Sequence, residues 1–294
     1  MVRRLLTSAA ILLLFSAALG WAIRLPRLKR IASSIGVLLQ LSGAPVPASS
    51  ATLSEHELEE LNSMPPQQQA ERLLERTINH YAGAGDELAR RLESWSGKIH
   101  STPELEHLTD TAYFSSDLRV RAAALELWLV RDGIRKTPQQ VDDLILEAAA
   151  TTERRYFRLS TLGILGNRGV EPEKVLQTLT YYAHDPTGPA RAAAINGLGL
   201  LGTEGTIPVL LDIFRHDSSS DLRERAACNL ADSGMLSRDL RQKAVPELIA
   251  FLQDPELDQT TRKWVLQALR EITQQNLPDN PSAWLSWYSS RPER

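Results

Sequence analysis

The main hydrophobic pattern of the chain is an apolar stripe that recurs at a fixed distance from an arginine. Five arginines stand at intervals of 37, 33, 32 and 39 residues: Arg121, Arg158, Arg191, Arg223 and Arg262. Four residues later stand Leu125, Leu162, Ile195, Ala227 and Leu266, and seven residues later Trp128, Leu165, Leu198, Leu230 and Leu269. Offsets of four and seven lie on one face of a helix, so the pattern predicts five copies of one amphipathic helix.

Each copy continues, after a short break, with a second apolar stripe at helical spacing. Typical positions are Val141 and Leu144, Val175 and Leu179, Leu210 and Phe214, and Leu248 and Leu252. Pro208 and Pro246 stand near the start of two of these helices, where the missing N–H costs little. No segment alternates between apolar and polar residues as a half-buried strand does. The sequence therefore predicts an all-α fold of paired helices.

Two-helix units of 32 to 39 residues, with a first helix of the form xRxxAxxxLGxLG, resemble the short bacterial form of the HEAT-repeat family. The clearest copies are FRLSTLGILGNRG (157–169), ARAAAINGLGLLG (190–202) and LRERAACNLADSG (222–234). The resemblance covers about 116–290 and implies an α-α superhelix of five stacked hairpins in a bacterial protein. Tetratricopeptide repeats have a similar period, but their Trp-Leu-Gly-Tyr pattern is absent.

Both ends of the repeat region are expected to carry caps. Residues 52–115 have helical apolar spacing without the repeat pattern, which predicts an N-terminal helical cap or degenerate repeats. The segment 271–288 resembles a terminal motif of such bacterial proteins, ITGQNxGxDPxAWxxWY, with Gln274 and Pro278 at glycine positions. We expect its aromatic residues Trp284, Trp287 and Tyr288 to cover the last repeat, because large aromatics bury much apolar area. An exposed aromatic binding spot is the alternative.

The N-terminus predicts a signal peptide or a signal-anchor helix over residues 1–23. Leu5 to Ile23 contain no charge, and nineteen helical residues reach roughly 28 Å, close to the hydrocarbon thickness of a bilayer. The leading arginines and the small residues at 18–20 favour export. Four basic residues at 24–30 favour a cytoplasmic body instead. An extracytoplasmic (periplasmic) body is the favoured expectation, joined through a basic, then Pro/Ala/Ser-rich linker at 24–51.

The charge distribution argues against nucleic acid as a partner. Residues 1–51 hold six basic residues and no acid, whereas the rest of the chain holds 27 basic and 36 acidic residues. Within that body, residues 52–115 have 5 basic and 12 acidic residues. Nucleic-acid binding requires a cationic face to displace counterions from phosphates. The remaining expected contacts are partner proteins and, through the N-terminal helix, a membrane.

The motifs with possible site chemistry have structural explanations. Gly197–Gly202 reads GxGxxG, but it ends a predicted helix instead of following a strand, so Gly202 is expected to be a helix C-cap. The five repeated arginines are expected to pair with aspartates that end neighbouring second helices: Asp185, Asp217 and Asp254.

The remaining candidates are histidines and one cysteine. His184 and His216 recur with the repeat, and the six histidines have no metal-ligand spacing. Cys228 has no partner for an internal disulfide and is expected in the core. The sequence therefore predicts no catalytic, cofactor-binding or metal-binding residues and no cofactor, and it names no binding residues.

We expect a non-catalytic scaffold for protein–protein interactions at the bacterial membrane or envelope. Stacked helical hairpins present extended surfaces that suit this role. The alternative function is enzymatic, since bacterial HEAT-like repeats are similar to those of phycobilin lyases. That resemblance implies an activity on a tetrapyrrole (bilin) chromophore, and it rests on the fold alone.

Overall fold

The computed structural model describes residues 51–291. Their regular secondary structure is helical apart from one isolated β-bridge between Thr52 and Ala82. The N-terminal helices are α1 (Glu55–Ser63), α2 (Pro66–Ile78), α3 (Ala84–Arg91) and α4 (Pro103–Tyr113), with a 3₁₀ turn at Leu92–Trp95. The predicted all-α fold is thereby confirmed for this part of the chain. The predicted signal or anchor segment lies outside the described residues. Between residues 51 and 291, no helix is both long and apolar enough to span a bilayer.

The repeat region consists of helix pairs. The first pairs are α5 (Leu118–Arg131) with α6 (Pro138–Ala150), α7 (Arg155–Asn167) with α8 (Pro172–Ala183), and α9 (Gly188–Leu201) with α10 (Thr206–His216). The fourth is α11 (Ser220–Cys228), extended by a π-helical turn at Asn229–Ser233, with the short α12 (Arg238–Gln242) and α13 (Val245–Gln253). The last is α14 (Gln259–Thr273) with α15 (Pro281–Ser289). The first helix of each pair contains one of the five recurring arginines.

Local sequence explains where these helices begin. Thr102 and Thr137 cap α4 and α6 by accepting backbone N–H bonds at Leu105 and Gln140, and a proline follows each of the two threonines. Such caps satisfy N–H groups that the first helical turn leaves without partners. Ser54 and Glu57 form a reciprocal capping box at α1. The helix starts are therefore encoded locally.

The first helices of the first three repeats are buried on nearly all sides. In α9 no residue from Ala190 to Leu201 is exposed, in α7 only Tyr156 is exposed, and in α5 only Arg119 is exposed. The second helices, by contrast, each keep an exposed face, as the alternating burial along α8 and α10 shows. The sequence predicted one apolar stripe on each first helix, but α5, α7 and α9 are buried over most of their circumference. Surfaces for partners are left to the second helices and to the helix ends.

Glycines bring α7 and α9 into backbone contact. A Cβ at Gly163 would lie 2.2 Å from the carbonyl oxygen of Gly197, and a Cβ at Gly197 would lie 2.6 Å from that of Leu159. Gly202 ends α9 at φ +55° and donates its N–H to the carbonyl of Leu198 at 3.1 Å. The expected C-cap is confirmed, and the GxGxxG match is explained by helix packing and helix termination.

Helix α5 joins the N-terminal helices to the repeats. Its residues Val120, Ala124 and Leu127 are buried in the core of the N-terminal helices, which is centred on Leu73, Leu88 and Trp95. On the other side, Leu125 and Leu129 belong to the core that continues through the repeats to α14. One helix thus serves two cores, which accounts for its burial on nearly all sides.

The aromatic segment at the C-terminal end packs onto the last repeats. Trp284 is fully buried and contacts Trp287 edge-to-face, with ring centroids 5.7 Å apart. Trp287 and Tyr288 are half-buried against the repeat core. Gln274 adopts φ 60°, the left-handed conformation that favours glycine. Here the turn keeps the glycine-type backbone despite the substituted residue.

Candidate interaction surface

A cluster of aromatic side chains lies at the corner between α4, α5 and α7. We define the aromatic patch as Tyr113, Phe114, Trp128 and Tyr156. Phe114 is 71% exposed and Tyr156 is 51% exposed, although both are large apolar side chains. Tyr113 contacts Phe114 edge-to-face at 5.2 Å and Trp128 at 5.1 Å between ring centroids. Exposed aromatic area on a half-buried aromatic base is typical of sites for protein partners.

The ends of helices position this patch. Phe114 is the C-cap residue of α4 and donates its N–H to the carbonyl of Asp110 at 3.2 Å, so its side chain leaves the helix at its end. Tyr156 is the second residue of α7, whose N-cap residue Arg154 adopts a left-handed conformation. Sequence analysis did not select either residue, because a single aromatic at a helix end has no periodic signal.

The phenol of Tyr113 in the aromatic patch has a raised pKa, and the charges of two arginines act on it. Burial raises the pKa of Tyr113, and the neighbouring Tyr156 raises it further, while Arg121 and Arg225 act in the opposite direction. The Tyr113 phenol therefore keeps its proton at neutral pH and remains a hydrogen-bond donor. Tyrosine and tryptophan with arginine nearby form the residue combination that is enriched in interface hot spots.

The five repeated arginines fasten each first helix to the turn before it. Each donates to a backbone carbonyl in that turn: Arg121 to Ser115 (2.6 Å), Arg158 to Glu153, Arg191 to Asp185 (3.1 Å), Arg223 to Asp217 (2.7 Å) and Arg262 to Asp254 (2.7 Å). The recurrence of this bond at every copy explains why the arginine recurs with the repeat. At all five positions the bond holds the first helix to the turn before it.

The predicted pairing of these arginines with aspartates is only partly correct. Arg191 forms the expected ion pair, 2.7 Å from the carboxylate of Asp217, whose side chain is 4% exposed. Arg158 instead pairs with Glu147 at 2.8 Å, and Arg223 contacts Asp258 at 3.3 Å. The other two arginines, Arg121 and Arg262, donate to backbone carbonyls, since backbone oxygens satisfy a guanidinium as well.

The remaining chemical candidates do not converge. His184 and His216 are exposed at the ends of α8 and α10. Within the described part of the chain, no group of three His, Cys, Asp or Glu side chains is arranged to hold a metal ion. The expected burial of Cys228 is wrong: this residue is exposed. It lies four residues after the exposed Glu224 on the solvent face of α11.

A shallow depression between α2 and α4 includes three of the acidic residues of 52–115. Its walls include Gln68, Glu71, Arg72, Glu75 and Glu104, with Met64 and Leu108 beside them. Glu71 accepts hydrogen bonds from Gln67 and Thr102. A charged, open lining differs from the enclosed apolar pocket that a chromophore requires.

Comparison with known proteins agrees with this architecture. Residues 142–231, from α6 to the π-helical turn after α11, match the family model for HEAT repeats. A comparison with curated proteins finds no match to the chain. The matched residues include the glycine contact between α7 and α9. They also include the predicted repeat copies 157–169 and 190–202 and most of the copy 222–234. Residues 142–231 of this chain are therefore assigned to the HEAT-repeat family.

Proposed function

We propose that this protein is a non-catalytic scaffold that binds a partner protein through the aromatic patch. HEAT repeats generally serve protein–protein interactions, and stacked hairpins offer surface without a reaction centre. The observation that carries the proposal is the exposure of Phe114 on the half-buried rings of Tyr113 and Trp128, together with the exposed Tyr156 on α7. Rings already held by their neighbours lose little side-chain entropy on binding.

We further propose that the scaffold works at a bacterial membrane or envelope. Support for this comes from the uncharged stretch Leu5 to Ile23, its preceding arginines and the linker that follows. The favoured arrangement is an exported body outside the cytoplasm. A C-terminal fusion to a phosphatase that is active only outside the cytoplasm tests the arrangement. An inactive but stably expressed fusion would contradict export and favour a membrane-tethered cytoplasmic body.

No feature of the described residues supports the alternative function, a lyase that acts on a bilin chromophore. Binding of bilin by the purified protein, seen as a change in its visible absorbance, would reopen it.

The partner-binding proposal is tested by crosslinking from the patch. A photo-reactive phenylalanine analogue at position 114 should capture one or a few proteins in the native host, and the same analogue at position 181 serves as the control. Tyr181 is a suitable control because it is 73% exposed but lies on the second helix α8, outside the patch.

The captured protein is then purified and its affinity measured for three forms of the scaffold. The double substitution Phe114→Ser with Tyr156→Ser should weaken binding at least tenfold, about 1.4 kcal/mol or more, because hot-spot truncations commonly cost that much. Tyr181→Ser should bind like the unchanged protein. Equal affinities for all three forms would refute the assignment of the patch.

A further inference from the structure

Arg121 connects two repeats that are far apart in the sequence. Its side chain lies in the first turn of α5 and is 4% exposed. One terminal nitrogen of its guanidinium donates to the carbonyl oxygens of Asp232 at 2.9 Å and Gly234 at 2.5 Å. These two residues end the first helix of the fourth repeat and begin the turn after it. The first repeat is thereby bonded to the fourth, past the two repeats between them.

The turn that receives Arg121 is already held by another arginine. Arg241 on α12 is 7% exposed and donates to the same two carbonyls, at 3.1 Å for Asp232 and 2.8 Å for Gly234. It also donates to the carbonyls of Leu230 at 3.0 Å and Leu236 at 2.9 Å. Because Arg241 fixes the turn from within the fourth repeat, the bonds from Arg121 are not needed to form that turn.

The guanidinium groups of Arg121 and Arg241 lie close together although both are positively charged, because they donate to the same two carbonyls. Burial, with the positive charge of Arg121 as a smaller cause, lowers the pKa of Arg241 to about 10, while the carboxylate of Asp232 acts in the opposite direction. Burial lowers the pKa of Arg121 as well. The long-range contact of Arg121 is therefore made beside a like charge that is held in place by five local carbonyls.

The equivalent arginines show that this contact is special to the first repeat. Arg158 bonds to Glu147 and to Glu153 in the preceding helix and turn. Arg191 and Arg223 reach only as far as the next turn along the array, at Asp217 and Asp258. Of the five repeated arginines, Arg121 alone bonds to a repeat that is not its neighbour.

We propose that the Arg121 contact is a latch that closes the repeat array between its first and fourth repeats and can open while both repeats stay folded. The closed form is the one described here. In the open form Arg121 leaves the carbonyls of Asp232 and Gly234, and Arg241 keeps the turn intact. The latch does not rest on the proposed function.

The latch is tested by measuring a distance between the two repeats it joins. Cys228 is the only cysteine of the chain and is exposed on α11, and Arg119 is exposed on α5. Spin labels on Cys228 and on Arg119→Cys in the full chain report this distance by pulsed electron spin resonance. Adding Arg121→Gln should shift the distribution toward longer distances. Arg158→Gln, at the same repeat position but with local bonds only, should leave it unchanged.

Three results would overturn the latch. The first is a folded Arg121→Gln protein with the parental distance distribution. If that variant does not fold, Arg121→Lys is measured, which keeps the charge but loses the fork of donors; an unchanged distance in a folded Arg121→Lys protein is the second. Failure of both variants to fold is the third, because the contact would then belong to the core. None of these results affects crosslinking from position 114, so the latch and the partner site fail separately.

Discussion

Substitution of Glu271 by glutamine removes the most strongly perturbed carboxyl group among the described residues. Burial raises the pKa of Glu271 from 4.5 to about 7, and the nearby Asp232 carboxylate adds to the rise. The hydrogen bond from Gln267 and the charge of Arg241 oppose it. Gln267 donates to Glu271 at 2.9 Å, and the glutamine oxygen can accept the same bond. The substitution therefore removes the charge and keeps the shape.

The sign and size of the effect follow from linkage. Because the folded pKa lies above the unfolded one, the folded protein binds the proton more tightly. The stability that Glu271 contributes is complete below about pH 4.5 and is lost as the pH rises through 7. A rise from 4.5 to about 7 corresponds to roughly 3 kcal/mol, since one pH unit equals about 1.4 kcal/mol. Partial access of water to this half-buried group makes that value an upper limit.

The assay is urea unfolding followed by tryptophan fluorescence at about pH 5 and about pH 8. At pH 5 the Glu271→Gln protein should exceed the unchanged protein in unfolding free energy by no more than about 1 kcal/mol. At pH 8 it should be more stable, by up to about 3 kcal/mol. Glu59→Gln, an exposed position on α1, is the matched control and should show no such gain. A difference between variant and unchanged protein that is the same at both pH values would refute the reasoning.

Three further substitutions test the packing. Gly163→Ala should lower the free energy of urea unfolding by about 1–3 kcal/mol, because its Cβ would lie 2.2 Å from the Gly197 carbonyl oxygen. In the control Gly188→Ala the new Cβ meets nothing within 4 Å, so the free energy of unfolding should hardly change. Gln274→Gly should stabilise by up to about 1 kcal/mol, seen as a higher melting temperature, since φ 60° suits glycine; a lower melting temperature would contradict this. Arg191→Gln should cost about 3–5 kcal/mol at neutral pH, because it leaves the buried carboxylate of its ion pair uncompensated; a loss under 1 kcal/mol would contradict that.

The periodic part of this fold could be read from the sequence because its signal is local. Arginines such as Arg158 and Arg191 with apolar residues four and seven positions later specify one helix face each, and the helices follow that spacing. Gly202 was recognisable as a C-cap because the glycine follows the last apolar position of its helix. In both cases the physical cause acts within one or two helical turns.

Other features depend on how the repeats are arranged and have no local signal. The partner of Arg121 lies more than a hundred residues away, and nothing near Arg121 distinguishes it from Arg158. Cys228 stands in an alanine-rich helix typical of the core, yet it faces solvent because the fourth repeat turns that side outward. The exposure of Phe114 also depends on which helices pack around it, and therefore on the curvature of the whole array.

The glycine contact between α7 and α9 determines where the array has room to deform. Side chains in a helix interface act as a compressible layer, since rotamers adjust when helices slide. At Gly163 and Gly197 no such layer exists, because the backbone of one helix rests on the backbone of the other. The second and third repeats should therefore move together as a stiff block, and bending of the chain should concentrate at the joints on either side of it.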